Sequence, residues 1–96
     1  MLFRSKVLYF HLDTCPYCQQ ADRVLAQLVE EHPEYAAVEF EKVDEYKHPE
    51  IADQYDYYAN PCMFIGHEKL YEGHIGEKEA ETREKVENVL KRALEA

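Results

Sequence analysis

The spacing of apolar residues predicts the elements of the first third of the chain. Four consecutive apolar residues, Val7–Phe10, are typical of a central strand that is buried on both faces. Pro16 favours a helix start, because proline suits the first helical position, and that helix should end before Pro33. Its buried face should consist of apolar residues at helical spacing, namely Ala21, Val24, Leu25 and Leu28.

The middle of the chain predicts a second strand and a short helix. Residues 37–43 form the strand, since Val38 and Phe40 would share one face. We expect it to run parallel to the first strand, with a right-handed crossover, because a whole helix connects the two. Pro49 then opens a shorter helix that continues through Tyr55.

The last third predicts a hairpin followed by a long helix. Cys62–Ile65 is the third strand, a turn begins at Gly66, and residues 69–72 form the fourth strand. Residues 77–96 form the final helix, with the apolar stripe Val86, Val89, Leu90, Ala93 and Leu94. The order βαβαββα therefore predicts one α/β domain over residues 1–96, with both faces of the sheet covered by helices.

Composition and charge narrow the function classes. The 96 residues carry 11 Lys and Arg against 20 Asp and Glu, a net charge of −9, which disfavours nucleic acid or anionic lipid as a partner. No apolar run approaches the length of a membrane span or of a secretory signal. The three cysteines are an odd number, which argues against a disulfide-stapled secreted scaffold. We therefore expect a monomeric, cytoplasmic protein with no membrane partner.

The motif Cys15-Pro16-Tyr17-Cys18 lies between the first strand and the first helix. If Pro16 is the first helical residue, Cys15 is the N-cap, and its sulfur faces the free N–H groups of Tyr17 and Cys18, which favour the reactive thiolate. Cys18 lies on the same helix face, close enough to form a disulfide with Cys15. The other interpretations are a pair of core cysteines or half of a zinc site, but a second ligand pair at similar spacing is missing. A redox dithiol is favoured.

With this motif in place, the chain resembles the thioredoxin superfamily, and Cys15-Pro16-Tyr17-Cys18 is similar to the dithiol motif of glutaredoxins. The resemblance implies a thioredoxin- or glutaredoxin-like fold with a four-stranded mixed sheet. In the superfamily a proline before the third strand is cis and lies against the dithiol, and Pro61 matches it. The residue before that proline, here Asn60, pairs its backbone with the bound substrate. The alternative for Pro61 is an ordinary trans proline at a strand start.

The chain also departs from both families that it resembles. Glutaredoxins usually have a lysine where Leu12 stands, and Thr-Val where Ala59-Asn60 stands. Their Gly-Gly after the fourth strand is here spread over Gly73 and Gly76. Thioredoxins have a tryptophan before the first cysteine and a buried acid at the position of Tyr9, and neither is present. The missing lysine predicts weak glutathione binding.

The predicted activity is that of a dithiol–disulfide oxidoreductase that reduces protein or small-molecule disulfides. Cys15 attacks, Cys18 resolves, and Asn60 and Pro61 form the docking ledge, with Tyr17 either stacking on substrate or serving as an exposed surface ring. No cofactor or metal is expected to be bound, and glutathione or a flavin-dependent reductase would supply electrons. The alternatives are a glutathione-dependent glutaredoxin and, from another class, a metal or iron–sulfur binding module.

Three further residues or groups have two interpretations each. Cys62 is either a small buried hydrophobic residue, which we favour, or a third redox thiol or metal ligand. Tyr55, Tyr57 and Tyr58 are either packing residues, which we favour, or a lip that contacts substrate. His11 is either a satisfied strand histidine, which we favour, or a modulator of the proton balance at the dithiol. The acidic C-terminal helix is predicted to be a solvated face.

Overall fold

The computed structural model describes residues 6–95, and the remaining residues of the predicted domain, 1–5 and 96, lie outside that range. The order of elements is the predicted βαβαββα, with one added 3₁₀ helix, Pro33–Ala37. The strands are β1 (Val7–Phe10), β2 (Phe40–Val43), β3 (Cys62–Ile65) and β4 (Glu68–Glu72), and the helices are α1 (Pro16–Glu31), α2 (Pro49–Ala52) and α3 (Glu79–Glu95).

The four strands form one mixed sheet in the order β2-β1-β3-β4. Strands β1 and β2 are parallel, as predicted, while β3 is antiparallel to both β1 and β4. Phe10, the last residue of β1, lies opposite Val43 on one side and Cys62 on the other. The end of β1 and the start of β3 therefore meet at the edge of the sheet from which α1 departs.

Helices cover both faces of the sheet, which confirms the predicted layering. On one face, α1 and α3 pack on the sheet residues Val7, Tyr9, Met63 and Tyr71. On the other face a smaller cluster forms around Phe10, Val43, Cys62 and Phe64, with Ile51 and Ala52 of α2 against it. Alternation along β3 places Cys62 and Phe64 in the second cluster and Met63 in the first, as the strand pattern predicts.

Two predicted boundaries are wrong by about three residues, and each has a local reason, while β4 begins one residue earlier and α3 two residues later than predicted. The second strand begins at Phe40 rather than at residue 37, because the 3₁₀ helix Pro33–Ala37 precedes it and buries Tyr35. The second helix ends at Ala52, so Tyr55 lies beyond it, packed on Phe10. Within the described residues, no helix combines the length and the apolar composition needed to cross a membrane.

Candidate active site

Cys15 caps the N-terminus of α1, as the position of Pro16 predicts. Its backbone is extended, with φ −84° and ψ 120°, and its carbonyl accepts the N–H of Gln19 at 3.0 Å. One expectation is wrong, because the Cys15 side chain makes no capping hydrogen bond to the helix N–H groups. The thiol is instead directed toward the carbonyl oxygen of Asn60, 4.0 Å from the sulfur. Cys15 is half-buried, so a substrate disulfide has access to this sulfur.

Cys18 lies one helical turn further on and is fully buried. Burial is the main reason why the pKa of its thiol rises to about 12, and the adjacent Cys15 and Asp22 act in the same direction. The N–H of Leu12 donates to the Cys18 sulfur at 3.5 Å and opposes this rise. Both cysteines are free thiols in the structure. The pair therefore consists of one accessible and one inaccessible sulfur.

The segment before β3 lies beside the dithiol. The Asn60–Pro61 peptide bond is cis, as the resemblance implies. The Asn60 carbonyl faces Cys15, and the Pro61 carbonyl accepts the N–H of Gly73 at 2.8 Å. The structure thus brings together four of the five predicted site residues: Cys15, Cys18, Asn60 and Pro61.

Glu72 and Gly73, at the end of β4, contact the segment before β3. The sequence did not indicate a role in the site for either of them. The Glu72 carboxylate accepts the backbone N–H groups of Tyr58 and Ala59. Burial by itself would raise the pKa of Glu72, but these two N–H groups and the Lys69 ammonium lower it below its usual range. A Cβ at position 73 would lie 2.7 Å from the Pro61 ring, so only glycine fits there.

Glu45 contacts the same segment from the loop between β2 and α2. Its carboxylate accepts a hydrogen bond from the side-chain amide of Asn60. Because Asn60 also presents its carbonyl to Cys15, this bond fixes the residue that is expected to pair with substrate. The contact spans 15 positions in the sequence, and no local pattern indicates it.

Tyr17, the fifth predicted site residue, differs from its expectation. It is half-buried rather than exposed, and the Gly76 N–H donates to its hydroxyl oxygen at 2.7 Å. Gly76 has φ +86°, a backbone conformation that favours glycine. The ring therefore ties the start of α1 to the loop after β4. The same loop carries Ile75, an apolar side chain that is 92% exposed.

The third cysteine, Cys62, is fully buried in the smaller core cluster, as its structural interpretation predicts. Burial is the largest of the causes that raise the pKa of its thiol to about 12. Within residues 6–95, one group of potential metal ligands has all its ligand atoms within 4.8 Å of one another, and it contains His74, Glu77 and Glu81 but no cysteine. The three cysteines therefore do not form a compact ligand set.

The tyrosines before Asn60 divide into two roles. Tyr55 and Tyr57 pack on Phe10, at ring-centroid distances of 5.4 and 4.5 Å. Tyr58 is 86% exposed. Core packing is thus confirmed for two of the three rings, and Tyr58 is left as the exposed ring at the rim of the site.

This arrangement supplies what disulfide exchange requires. An accessible thiol lies at a helix N-terminus, where free N–H groups and the helix dipole stabilise a developing anion. A second thiol lies behind it on the same helix, out of reach of solvent. A backbone carbonyl stands opposite the first sulfur and offers a partner for an extended substrate segment. The two thiols and the substrate supply all the sulfur atoms that take part in disulfide exchange.

The comparisons with known proteins agree with the fold. The thioredoxin family model matches residues 4–92. No curated protein sequence matches the chain. A solved structure of a malarial protein is similar over 96% of this chain and 99% of its own, with TM-score 0.61 and 18% identity. Zinc-bound human ERp44 is similar over 91% of this chain and 27% of its own, with TM-score 0.53 and 19% identity. The structural likenesses concern the fold, and by its sequence the chain belongs to the thioredoxin family.

Proposed function

We propose that the protein is a dithiol–disulfide oxidoreductase that reduces disulfides through Cys15 and Cys18. One observation carries this proposal: an accessible cysteine at a helix N-terminus, followed three residues later by a fully buried one, with the Asn60 carbonyl 4.0 Å from the first sulfur. Proteins of the thioredoxin fold generally catalyse such exchange, which supports the assignment.

The proposed reaction has two displacements. Cys15 attacks a substrate disulfide, one substrate sulfur leaves as a thiolate, and a mixed disulfide forms. Cys18 then attacks the Cys15 sulfur of that mixed disulfide, which closes the Cys15–Cys18 disulfide and releases the second substrate thiol. The substrate gains two electrons and two protons, and the dithiol loses them. The Asn60–Pro61 ledge would hold an extended substrate segment beside Cys15.

The electron donor is a second part of the proposal, and we favour a flavin-dependent reductase over glutathione. Position 12 carries leucine, so a cation expected for glutathione binding is missing. A cleft of about 230 Å³ beside His11 favours the other candidate, a glutathione-dependent glutaredoxin, because Lys47 and His48 line it. Asp13 and Asp44 line the same cleft and oppose the binding of carboxylates.

Zinc- or cluster-binding is the alternative from another class. ERp44 was solved in a zinc-bound form, but its likeness to this chain concerns the fold. Because the cysteines do not belong to a compact ligand set within residues 6–95, a metal held by the cysteines would need further ligands from another molecule. Metal analysis of the purified protein distinguishes the two classes directly.

Turnover measurements test the proposed activity. The reduced protein should reduce a polypeptide disulfide with dithiothreitol as the terminal reductant, and Cys15→Ser should remove this activity. Coupling the same assay either to glutathione with glutathione reductase or to a flavin-dependent thioredoxin reductase identifies the donor. A protein that is inactive in all three assays would contradict the proposed function. We further propose that it acts as a cytoplasmic monomer.

A further inference from the structure

The second displacement has a requirement that the dithiol does not meet by itself. Cys18 must lose its proton before its sulfur attacks, yet it is fully buried and its pKa is raised to about 12. The Leu12 N–H donates to the sulfur and stabilises the thiolate, but it accepts no proton. Tyr9 points into the core on this side of the sheet, but burial raises the pKa of its hydroxyl, so this group keeps its own proton.

A histidine–carboxylate pair lies beside Cys18. His11 follows β1 and is 7% exposed, and its Nε2 lies 2.8 Å from Asp22 Oδ2. Asp22 is four residues after Cys18 on α1, so the two side chains share one face of the helix. The Tyr9 hydroxyl lies within hydrogen-bond distance of both Asp22 and the Cys18 carbonyl oxygen, and the N–H of Leu12, the residue after His11, donates to the Cys18 sulfur, so the pair lies beside Cys18.

Tyr9 fixes this pair against α1. Its hydroxyl lies 3.1 Å from Asp22 Oδ1 and 3.3 Å from the carbonyl oxygen of Cys18, and it donates a hydrogen bond to one of these two oxygens. The rings of Tyr9 and His11 meet edge to face, with centroids 5.1 Å apart. The backbone N–H of His11 donates to the Val43 carbonyl at 3.0 Å. Together these contacts hold both members of the pair in one arrangement.

We infer that the His11–Asp22 pair accepts the proton that Cys18 releases when it attacks the mixed disulfide. This inference rests on the proposed dithiol reaction and adds a proton-accepting pair to it. The proton leaves the Cys18 thiol for the Asp22–His11 pair, and the Cys18 thiolate forms a bond to the Cys15 sulfur. The bond between Cys15 and the substrate breaks, and the substrate thiolate leaves. The pair later returns its proton to solvent or to the leaving thiolate.

Other charged groups also face the pair. Lys42 on β2 lies 3.3 Å from Asp22 Oδ1 and partly neutralises it. Asp13, which is largely exposed, lies 3.5 Å from the second ring nitrogen of His11. Three further groups from the loop after β2 line the adjoining cleft, namely Asp44, Lys47 and His48. The pair is thus buried on the Cys18 side and open to solvent exchange through this cleft.

A stopped-flow experiment with an aromatic disulfide, 5,5′-dithiobis(2-nitrobenzoate), separates the two displacements. The reduced protein, mixed with one equivalent of reagent, releases the first coloured thiolate when Cys15 attacks and the second when Cys18 resolves. Asp22→Asn should slow the second release about a hundredfold near neutral pH, since general acid–base assistance contributes at least that much. His11→Gln should slow it by a smaller factor, and Asp22→Glu should recover part of the rate.

The direction in which the rate of the second release changes distinguishes a proton acceptor from a carboxylate that acts only through its charge. Asp22 raises the pKa of Cys18, so a purely electrostatic role predicts a faster second release in Asp22→Asn. The inference predicts a slower one, whose rate keeps rising with pH where the natural protein has levelled off. A second release that is unchanged or faster in both Asp22→Asn and His11→Gln would overturn the inference.

Two controls keep this result separate from the proposed function. Asp13→Asn removes a carboxylate that also touches His11 but is 89% exposed, and it should leave both releases within about twofold. The first release reports on Cys15 alone and shows that each variant is folded at the site. If the natural protein shows no first release, the proposed function fails. If the first release is present and only the Asp22 and His11 effects are absent, this inference alone fails.

Discussion

Cys18 and Cys62 are two fully buried thiols whose pKa values burial raises to about 12 in both cases. Their surroundings differ. Cys18 sits in the first turn of α1, beside a second thiol, with a backbone N–H directed at its sulfur. Cys62 sits among Phe10, Val43 and Phe64 in the smaller core cluster. Burial alone therefore does not identify a cysteine suited to redox chemistry. The neighbouring groups that stabilise the thiolate or accept its proton do identify it.

The two cysteines also differ in the elements that carry them. Cys62 lies in β3 and pairs with Phe10 and Glu72 across neighbouring strands. Cys18 lies in the first turn of a helix whose capping residue is Cys15, the proposed attacking cysteine. A loss of Cys18 should thus be a loss of chemistry, whereas a loss of Cys62 should be a small loss of packing.

The largest expected effects come from the dithiol itself. Cys15→Ser should abolish turnover, because no thiolate is left to open the substrate disulfide. Cys18→Ser should stop the reaction after the first displacement and trap a mixed disulfide on Cys15. Intact-mass spectrometry of the protein after incubation with a disulfide substrate measures the adduct. Trapping by Cys15→Ser instead of Cys18→Ser would reverse the assigned roles.

The next effect concerns glutathione. Leu12→Lys should raise glutathione-coupled turnover about tenfold to a hundredfold, since a charge-assisted contact contributes about 1.5–3 kcal/mol. The Leu12 N–H that donates to Cys18 belongs to the backbone and stays in the variant. Steady-state assays with glutathione and with dithiothreitol check the change, and the dithiothreitol rate should stay the same. Fast glutathione turnover by the natural protein would contradict the weak binding inferred from Leu12.

A smaller effect is expected from the contact between Glu45 and Asn60. Glu45→Ala frees the Asn60 side chain, and we expect KM for a polypeptide disulfide to rise about tenfold while kcat changes less. Glu50→Ala is the matched control, because Glu50 is an exposed carboxylate on the neighbouring α2. An equal change in both variants would show that net charge, rather than the position of Asn60, controls substrate binding.

The smallest effect is expected at the other buried thiol. Cys62→Ala should leave turnover within a few-fold and lower the free energy of unfolding by on the order of 1 kcal/mol. Urea unfolding and the dithiothreitol-coupled assay measure the two quantities. A large loss of turnover without a comparable loss of stability would give Cys62 a role in the chemistry.

The sequence predicts the parts of this molecule that depend on local pattern. β3 and the start of α1 fall where their apolar runs and Pro16 place them. The 3₁₀ helix at Pro33–Ala37 escapes prediction because it depends on a distant contact, in which the Tyr35 hydroxyl donates to Glu87 of α3 at 2.9 Å. The hydrogen bond between Asn60 and Glu45 is similar: the resemblance implies the cis Pro61, but no local pattern indicates a contact that spans 15 positions.

The dithiol shows the same division within one motif. The spacing of Cys15 and Cys18 predicts their shared helix face, and the structure shows that Cys15 is half-buried and Cys18 fully buried. The half-buried state of Tyr17 could not be predicted, because it requires a contact with Gly76, which lies 59 positions further along the chain. Sequence spacing thus locates the two cysteines, and tertiary packing decides what surrounds them.

Disulfide mapping of the oxidised protein tests the central claim most directly. The protein is oxidised with an excess of a small disulfide, alkylated under denaturing conditions and digested with trypsin. Cys15 and Cys18 lie together in the peptide of residues 7–23, and Cys62 lies in that of residues 48–69. We expect the first peptide to carry an internal disulfide and the second to be fully alkylated at Cys62. A disulfide that joins the two peptides, or an oxidised Cys62 beside an alkylated Cys18, would contradict the account.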